Sequence, residues 1–346
     1  MLVNIWSTSH NSHQIASFAT VATIATVIGA YLYYRKKVPN IPKKWTPVTK
    51  VTQLFVYPLK SGRRREVQSM YCTDLGPTFI ENNVELKDRS FIVYGEKDHE
   101  FRAAKTCPKL LLIEVSVNST GDLIFTAPEQ NPLIITLPNP KGKPVIITMD
   151  NKAPAHTLDC GDEAAKWLSQ YVLNKPSGLR LGYYRSQFRR DIKQQFPEYV
   201  GVYNNMRRES AGIYTNLTSY HLINQRSIDA LNQHLVEPTS ANNFRANIIV
   251  ESDNLEAYSE EYWDWIKIGD VVMRLIRPCT RCAMTTVHPE RAAYSKQREP
   301  LKSLERVNNP KQPAYFKLEG KRGVMGIQVE LWKTGEIQVG DEVFIA

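Results

Sequence analysis

The sequence predicts a β-rich α+β fold preceded by a single transmembrane helix. Three observations predict it: a charge-free apolar segment near the start, many short runs of β-branched and aromatic residues after it, and two segments with helical spacing. The 346 residues suggest two domains, and the formal net charge of +9 favours anionic partners such as phosphate groups or lipid headgroups. A nucleic-acid role is disfavoured because the chain lacks a motif that combines basic and aromatic residues.

The first predicted element is a membrane anchor at residues 15–34, after a short tail at residues 1–14. Residues 1–34 contain no Asp, Glu, Lys or Arg, and the apolar stretch provides the ~20 residues that a spanning helix needs. Arg35, Lys36 and Lys37 follow directly. Positive residues favour the cytosolic side of a membrane, so the rest of the chain is expected to face the cytosol. A cleaved signal peptide is disfavoured, since no positive charge precedes the apolar stretch.

A basic, proline-rich linker is predicted at residues 35–50, and strands begin after it. The runs include "VTQLFVYPLKS", "RSFIVYG", "LLLIEVSV", "DLIFTA", "PLIITL" and "PVIITM". Each is short and bounded by Gly, Pro, Asn or Asp, which favours a sheet or barrel over alternating strand–helix units. Further strands are expected in the C-terminal third, where Gly269-Asp270 and Gly340-Asp341 predict tight turns.

Two segments show apolar residues at helical spacing. The first is "CGDEAAKWLSQYVLNK", with Asp162 as its expected cap, and the second is "LTSYHLINQRSIDALNQHL", with Ser227 as a possible cap. Residues 183–212, between these segments, are polar and basic without a clear period, and predict a long surface connection. His221 and His234 are interpreted as surface or core residues rather than ligands.

The five cysteines are few and odd in number, which argues against a disulfide framework and indicates a reducing compartment. Cys279 and Cys282 are three residues apart. Structural zinc is disfavoured because no second cysteine pair completes a set of four ligands. A redox dithiol would lie where a strand meets a helix, whereas the sequence after Cys282, "AMTTV", is β-prone.

Two further interpretations of the pair stay open. The cysteines could be ordinary packing residues at a corner of a sheet. Alternatively, one of them is an activated thiolate, because Arg277 and Arg281 flank the pair and positive charge lowers a thiol pKa. A thiolate suits a soft or redox-active metal. The spacing alone does not decide among these possibilities.

Five motifs occur in a fixed order along the chain: "VYPLKSGRR", "LKDRSFIVY", "NNFRANIIV", "RPCTRCAMTTVHPE" and "IQVGDEVFI". Together they resemble the MOSC-domain family, and within it the mitochondrial amidoxime-reducing components, over nearly everything from Val51 to the C-terminus. The resemblance includes the N-terminal anchor. It implies a MOSC-type β-barrel domain at residues 181–346, an associated β-rich MOSC N-terminal domain at residues 51–180, and a place in the mitochondrial outer membrane.

The resemblance also implies a molybdenum enzyme without zinc or haem. Cys282 would coordinate molybdenum that is held by the dithiolene of molybdopterin, and Cys279 would be a neighbour. The expected reaction reduces amidoximes and hydroxylamines to amidines and amines, with electrons from NADH through cytochrome b5 reductase and cytochrome b5. Two alternatives are a non-catalytic molybdopterin carrier and a thiol-disulfide oxidoreductase that uses both cysteines.

The implied cofactor-binding residues can offer cationic or hydrogen-bonding groups to a phosphate or a pterin edge. They are Lys60, Ser61, Arg89, Thr218, Ser219, Arg245, Asn247, Thr280, Arg281 and Cys282. Asp88 is expected either to orient Arg89 or to be solvated. Arg63, Arg64 and Arg65 are expected at the surface, where they could meet acidic cytochrome b5 or lipid phosphate. His288 stands where relatives tend to carry an acid, so its loop could alter substrate preference.

Overall fold

The computed structural model describes residues 39–150, 153–184, 190–207 and 211–346. The described residues from 44 to 346 form one compact unit. The predicted anchor at residues 15–34 lies outside the described residues. Within the described ranges, no helix is both long enough and apolar enough to cross a membrane.

Strands dominate the described part of the chain, as predicted. They are β1 Thr46–Val56, β2 Arg65–Val67, β3 Ser69–Thr73, β4 Gly76–Glu81, β5 Val84–Lys87, β6 Phe91–Gly95, β7 Glu114–Val117, β8 Leu123–Ala127, β9 Gln130–Ile135, β10 Val145–Thr148, β11 Pro154–Asp159, β12 Leu179–Tyr184, β13 Tyr220–Asn224, β14 Ile248–Glu251, β15 Trp265–Ile268, β16 Val271–Thr280, β17 Val287–His288, β18 Ala293–Tyr294, β19 Val324–Lys333, β20 Gly335–Gln338 and β21 Glu342–Ile345.

The α-helices are short and connect or cover the sheets. They are α1 Asp162–Leu168, α2 Ile192–Gln195, α3 Gln225–Asn232, α4 Ala241–Phe244, α5 Leu301–Val307 and α6 Pro313–Glu319. Short 3-10 helices cover Pro108–Leu112, Pro197–Tyr199, Ser259–Tyr262 and Ala283–Thr286, and a π-helix covers Ser169–Leu173.

Seven strands close into a barrel in the order β14, β13, β19, β16, β15, β21 and β1, because β1 pairs with both β21 and β14. Closure leaves these strands no free edge. Buried aliphatic side chains of successive strands form one cluster, as expected for a barrel of this size. This cluster includes Leu54, Leu222, Val250, Ile266, Met273, Val329 and Val343. The predicted β-rich class is confirmed.

A second group of sheets carries its own core. The sheets have the orders β10-β11-β12-β6, β20-β3-β4-β5 and β7-β8-β9. Phe91, Leu110, Phe125 and Leu168 belong to one buried cluster between these sheets and α1. Two strand pairings cross the predicted boundary between residues 180 and 181. Strand β20 from the C-terminal side pairs with β3, and β1 from the N-terminal side pairs with β21 in the barrel. That boundary stays a prediction.

The second helical segment is partly a strand, so that prediction was wrong over residues 220–224. These residues form β13, in which every residue is buried, and the helix α3 begins only at Gln225. A run of five residues is too short for its residue spacing to distinguish a strand from a helix. The cap is Asn224, whose Oδ1 accepts from Arg226 N at 3.1 Å. The Ser227 hydroxyl instead donates to buried Glu260 at 2.9 Å.

Residues 183–212 are not a surface connection in the parts that the structure describes. Ile192, Tyr203 and Met206 are buried there, and Arg190 is only 6% exposed. Ile192 and Met206 share an apolar cluster with Ile276 of β16. These apolar residues are too widely spaced to give a period, which is why the sequence pattern resembles a solvated loop.

Candidate cofactor site

The Cys282 thiol lies at an exposed position just after the end of β16. Cys282 is the cap residue of the 3-10 helix Ala283–Thr286. Its carbonyl oxygen accepts from both Thr285 N at 3.0 Å and Thr285 Oγ1 at 2.9 Å. The main chain at Cys282 is therefore fixed while its side chain remains accessible to a ligand.

Cys279, in contrast, is buried beside a cation. Its Sγ accepts from Arg281 Nη1 at 2.7 Å. Burial alone would raise the pKa of Cys279, but the charges of Arg281 and His221 outweigh it and hold that pKa at about 6. Arg277, which forms an ion pair with Glu319 at 2.8 Å, also lowers this pKa. The arginines that flank the pair in sequence thus produce an activated thiolate at Cys279, the cysteine not assigned to the metal.

Lys60, which directly precedes Ser61, carries a buried ammonium group. Its Nζ donates to Asn216 Oδ1 at 2.5 Å and lies 4.7 Å from the centre of the Phe101 ring. Burial lowers the pKa of Lys60 to about 7; Asp150 opposes this shift, whereas Arg89, Arg190 and Arg245 add to it. Asp150 is itself paired with Lys105 at 2.8 Å. The surroundings of Lys60 are therefore short of negative charge.

Arg89 is positioned by a buried carboxylate. Asp88 forms an ion pair with Arg89, and its side chain is fully buried, which confirms that it orients the arginine rather than being solvated. Asp88 Oδ1 also accepts from Tyr57 N at 2.9 Å and from Asn247 Nδ2 at 3.2 Å. Asn247 donates its other amide hydrogen to Phe55 O at 3.1 Å. Asn247 therefore contacts the carboxylate that holds Arg89, and its contact with a pterin stays a prediction.

Arg245 and Arg281 each keep a buried nitrogen without a hydrogen-bond partner among the described residues: Nη2 of Arg245 and Nε of Arg281. Arg245 Nη1 donates to Gly62 O at 2.7 Å, and its guanidinium lies 4.2 Å from the centre of the Tyr57 ring. Arg281 Nη2 donates to Phe244 O at 2.7 Å. These bonds connect the segment of Cys282, the end of α4 and the turn at Ser61-Gly62 in one continuous series.

The hydrogen bonds described for Thr218, Ser219 and Thr280 run to groups other than Lys60, Arg89, Arg245 and Arg281. Ser61 is buried with a positive φ of 69°. Thr218 Oγ1 donates to Tyr220 O at 3.0 Å, and Ser219 Oγ donates to Asp74 O at 2.9 Å. The Thr280 hydroxyl binds the Arg277–Glu319 pair. Their proposed roles toward a cofactor stay predictions.

Two family models match the chain: the MOSC N-terminal beta barrel domain over residues 48–175 and the MOSC domain over residues 213–344. Mitochondrial amidoxime-reducing component 1 of Danio rerio is 30% identical over 308 residues, covering 87% of this chain and 86% of that relative. The chain belongs to the MOSC-domain family of mitochondrial amidoxime-reducing components.

Other family members are similarly distant. Component 1 of Homo sapiens is 29% identical over 301 residues, which cover 85% of this chain and 82% of the relative. Component 1 of Mus musculus is 27% identical over 314 residues, which cover 90% of this chain and 86% of the relative. The solved YUAD protein of Bacillus subtilis covers 87% of this chain and 98% of its own, at 10% identity and a TM-score of 0.32.

The residues of this MOSC-family site fit an anionic cofactor such as a pterin phosphate. Buried donors without partners are rare in proteins, so the two free nitrogens on Arg245 and Arg281 indicate a missing acceptor. Burial lowers the pKa of Arg245 to about 10, although Tyr57 opposes this, and Arg89 adds to it. A phosphate would supply both acceptors and negative charge to this cluster.

Sequence reasoning missed Arg190 and Asn216. Arg190 donates to the main-chain oxygens of Gly212 at 3.0 Å and Ile213 at 3.2 Å, and so holds the turn that leads to Asn216. Asn216 in turn accepts from Lys60. No sequence signal distinguishes Arg190 from its basic neighbours, because its role depends on carbonyl groups that only the fold brings to it.

The expectation that the arginine run lies at the surface was wrong for Arg65. This residue forms an ion pair with Glu81 and donates to Val115 O at 2.8 Å, because β2 directs it towards the second core. Arg64 covers the Phe55 ring at 4.6 Å. Arg63 reaches Glu290 at 2.7 Å. Arg63, Arg64 and Arg65 therefore all contact other residues of this chain.

Anion binding at this site should weaken as the pH rises above 7. The folded Lys60 pKa is about 7, so the side chain is mostly neutral at pH 8.5 and must take up a proton to hold an anion. Sulfate keeps its charge over this range, and calorimetry of sulfate binding to cofactor-free protein at pH 6 and 8.5 measures the effect. Lys60→Met should reduce the pH dependence and leave only the part due to Cys279, whose pKa is about 6. Equal affinity of the wild type at both pH values would contradict this assignment.

Proposed function

We propose that this chain is a membrane-anchored, molybdenum-dependent oxidoreductase that reduces N-hydroxylated compounds, such as amidoximes and hydroxylamines. Its electrons come from NADH through cytochrome b5 reductase and cytochrome b5. The observation that carries the proposal is the series of contacts from Arg281, the residue before the exposed Cys282, to Arg245 and the Ser61-Gly62 turn, in which both arginines keep a buried nitrogen without a partner among the described residues. The names of the relatives, amidoxime-reducing components, support the substrate class.

In this proposal the chain binds and orients the cofactor. Cys282 would hold the molybdenum, while Lys60, Arg89, Arg245 and Arg281 would hold the phosphate and the pterin. When bound, the cofactor would supply the two electrons for reductive cleavage of the N–O bond, and two protons would complete the products, an amine or amidine and water. The protein contributes binding, orientation and electrostatics, as is general for cofactor enzymes. Asp88 keeps Arg89 in place for this role through their ion pair.

We further propose that residues 15–34 anchor the enzyme in the mitochondrial outer membrane, with the domains that follow the anchor in the cytosol. The charge-free segment and the basic residues directly after it support this orientation. The relatives are named mitochondrial components, which supports the organelle. A cytosolic orientation would let the enzyme meet cytochrome b5 and its reductase.

The test is reconstitution of the full chain, loaded with cofactor, with NADH, cytochrome b5 reductase and cytochrome b5. We expect reduction of benzamidoxime to benzamidine that stops when any one of these components is omitted. A chain that retains molybdopterin through purification yet gives no benzamidine would be a carrier, and the proposed function would be wrong.

A further inference from the structure

The segment after Cys282 continues into a small hairpin with a fixed turn. Its strands β17 and β18 pair through Val287 with Tyr294 and through His288 with Ala293. Within the turn, His288 Nδ1 accepts from the main-chain nitrogen of Glu290 at 3.2 Å. The ring of His288 therefore shapes the turn, and the turn presents the Glu290 side chain at its tip.

The Glu290 carboxylate contacts two segments that carry residues of the cofactor site. One oxygen pairs with Arg63 Nη2 at 2.7 Å, and the other accepts from Asn242 Nδ2 at 2.8 Å. Arg63 directly follows Gly62, whose carbonyl accepts from Arg245. Glu290 thus joins the hairpin to the Ser61-Gly62 turn and to α4 simultaneously.

The helix α4 also contacts the turn that begins at Cys282. Asn243 Nδ2 donates to Thr285 O at 3.4 Å, and the neighbouring Asn242 holds Glu290. Adjacent residues of one helix therefore bind both ends of the segment from Cys282 to Glu290. The exposed Cys282 and Glu290 thus lie on one segment, eight residues apart, and the tip of that segment pairs with Arg63.

The ion pair between Arg63 and Glu290 is weak. The side chains of Arg63 and Glu290 are 41% and 45% exposed. Exposed ion pairs of this kind typically contribute ~0–1 kcal/mol and weaken with salt. The contact therefore adds little to the stability of the fold, although it restricts the position of the hairpin.

We propose that Glu290 is a specificity-determining residue: by tying the hairpin to Arg63 and Asn242 it limits the opening beside Cys282 and so selects N-hydroxylated substrates by size. This inference rests on the proposed function. Neither Glu290 nor Arg63 belongs to the predicted set of cofactor-binding residues, so their role is to position the loop rather than to touch the reacting atoms.

The experiment compares Glu290→Ala with wild-type enzyme, both loaded with cofactor. We expect amide hydrogen exchange in residues 286–294 to increase by at least about fivefold, because the local opening costs less free energy. The ratio of kcat/KM for 4-phenylbenzamidoxime to that for hydroxylamine should rise by at least about threefold, the size of effect typical of relaxed packing in a pocket. Glu290→Gln keeps an acceptor for Asn242 and should give an intermediate result.

Arg291→Gln is the matched control. It also removes one charge from the hairpin turn, but its partner is Glu237 at 2.5 Å, on a different segment. Its exchange rates and substrate ratio should match those of the wild type. An unchanged substrate ratio in an active Glu290→Ala enzyme would overturn the selection by size. A wild-type enzyme that reduces neither substrate would overturn the proposed function, and the selection with it.

Discussion

Replacing Cys282 with Ala should lower the rate of benzamidoxime reduction by at least about 100-fold, which exceeds the ~10–100-fold loss typical of removing only an outer partner of a metal ligand. The reason is that Cys282 is the exposed thiol at the end of β16 and the proposed ligand of molybdenum. Rates are measured with NADH, cytochrome b5 and its reductase in excess, and molybdenum content is measured on the same samples.

Cys279→Ser provides the matched control, since it alters a cysteine in the same motif. Cys279 is buried and accepts from Arg281, and Ser keeps an acceptor there, so we expect the loss to stay at the mild end of that range, within about tenfold of wild type. A thiol-disulfide enzyme would instead lose activity in both variants. Retained activity and normal molybdenum in Cys282→Ala would contradict the assignment of the ligand.

The second large effect is expected at Lys60, where loss of cofactor should accompany a gain in stability. Lys60→Met removes a cation proposed to hold the cofactor phosphate, so molybdopterin content should fall by at least about tenfold, or ~1.4 kcal/mol of binding. The same change removes a buried charge from the cofactor-free protein. Its free energy of unfolding at pH 6 should therefore rise by about 1–3 kcal/mol.

The pH dependence of this gain has a definite sign. The Lys60 pKa is lowered from 10.5 to about 7 in the folded protein, so the unfolded chain binds the proton more tightly between these values. The stability of the cofactor-free wild type should rise with pH in that window, and the advantage of Lys60→Met should shrink. Urea unfolding at pH 6 and pH 9 measures both, with the surface variant Lys333→Met as a control. A destabilised Lys60→Met at pH 6 would contradict the account.

The sequence was sufficient to predict the strands with clear alternation or length, but not how they close. The barrel depends on β1 pairing with β21 and β14, which lie far away along the chain. Register between distant strands has no local signal. The same limit explains the error over β13, a buried strand of five residues that is too short for its residue spacing to distinguish a strand from a helix.

Motifs predicted the cationic residues of the site better than they predicted its electrostatics. Lys60, Arg89 and Arg245 come from different segments, and the structure connects them through Asp88 and main-chain carbonyls. The sequence could not show that Arg281 turns its charge towards Cys279 rather than Cys282. Nor could it identify Arg190, whose partners are carbonyl groups of a turn that is distant along the chain.

The most direct test is elemental analysis of the purified wild-type chain, produced in a host that makes molybdopterin. If Cys282 and the buried cations form one cofactor site, the protein should contain about one molybdenum per chain and no stoichiometric zinc, since a single ligand cysteine cannot complete a zinc site. Stoichiometric zinc, or protein without molybdenum from a cofactor-sufficient host, would contradict the account.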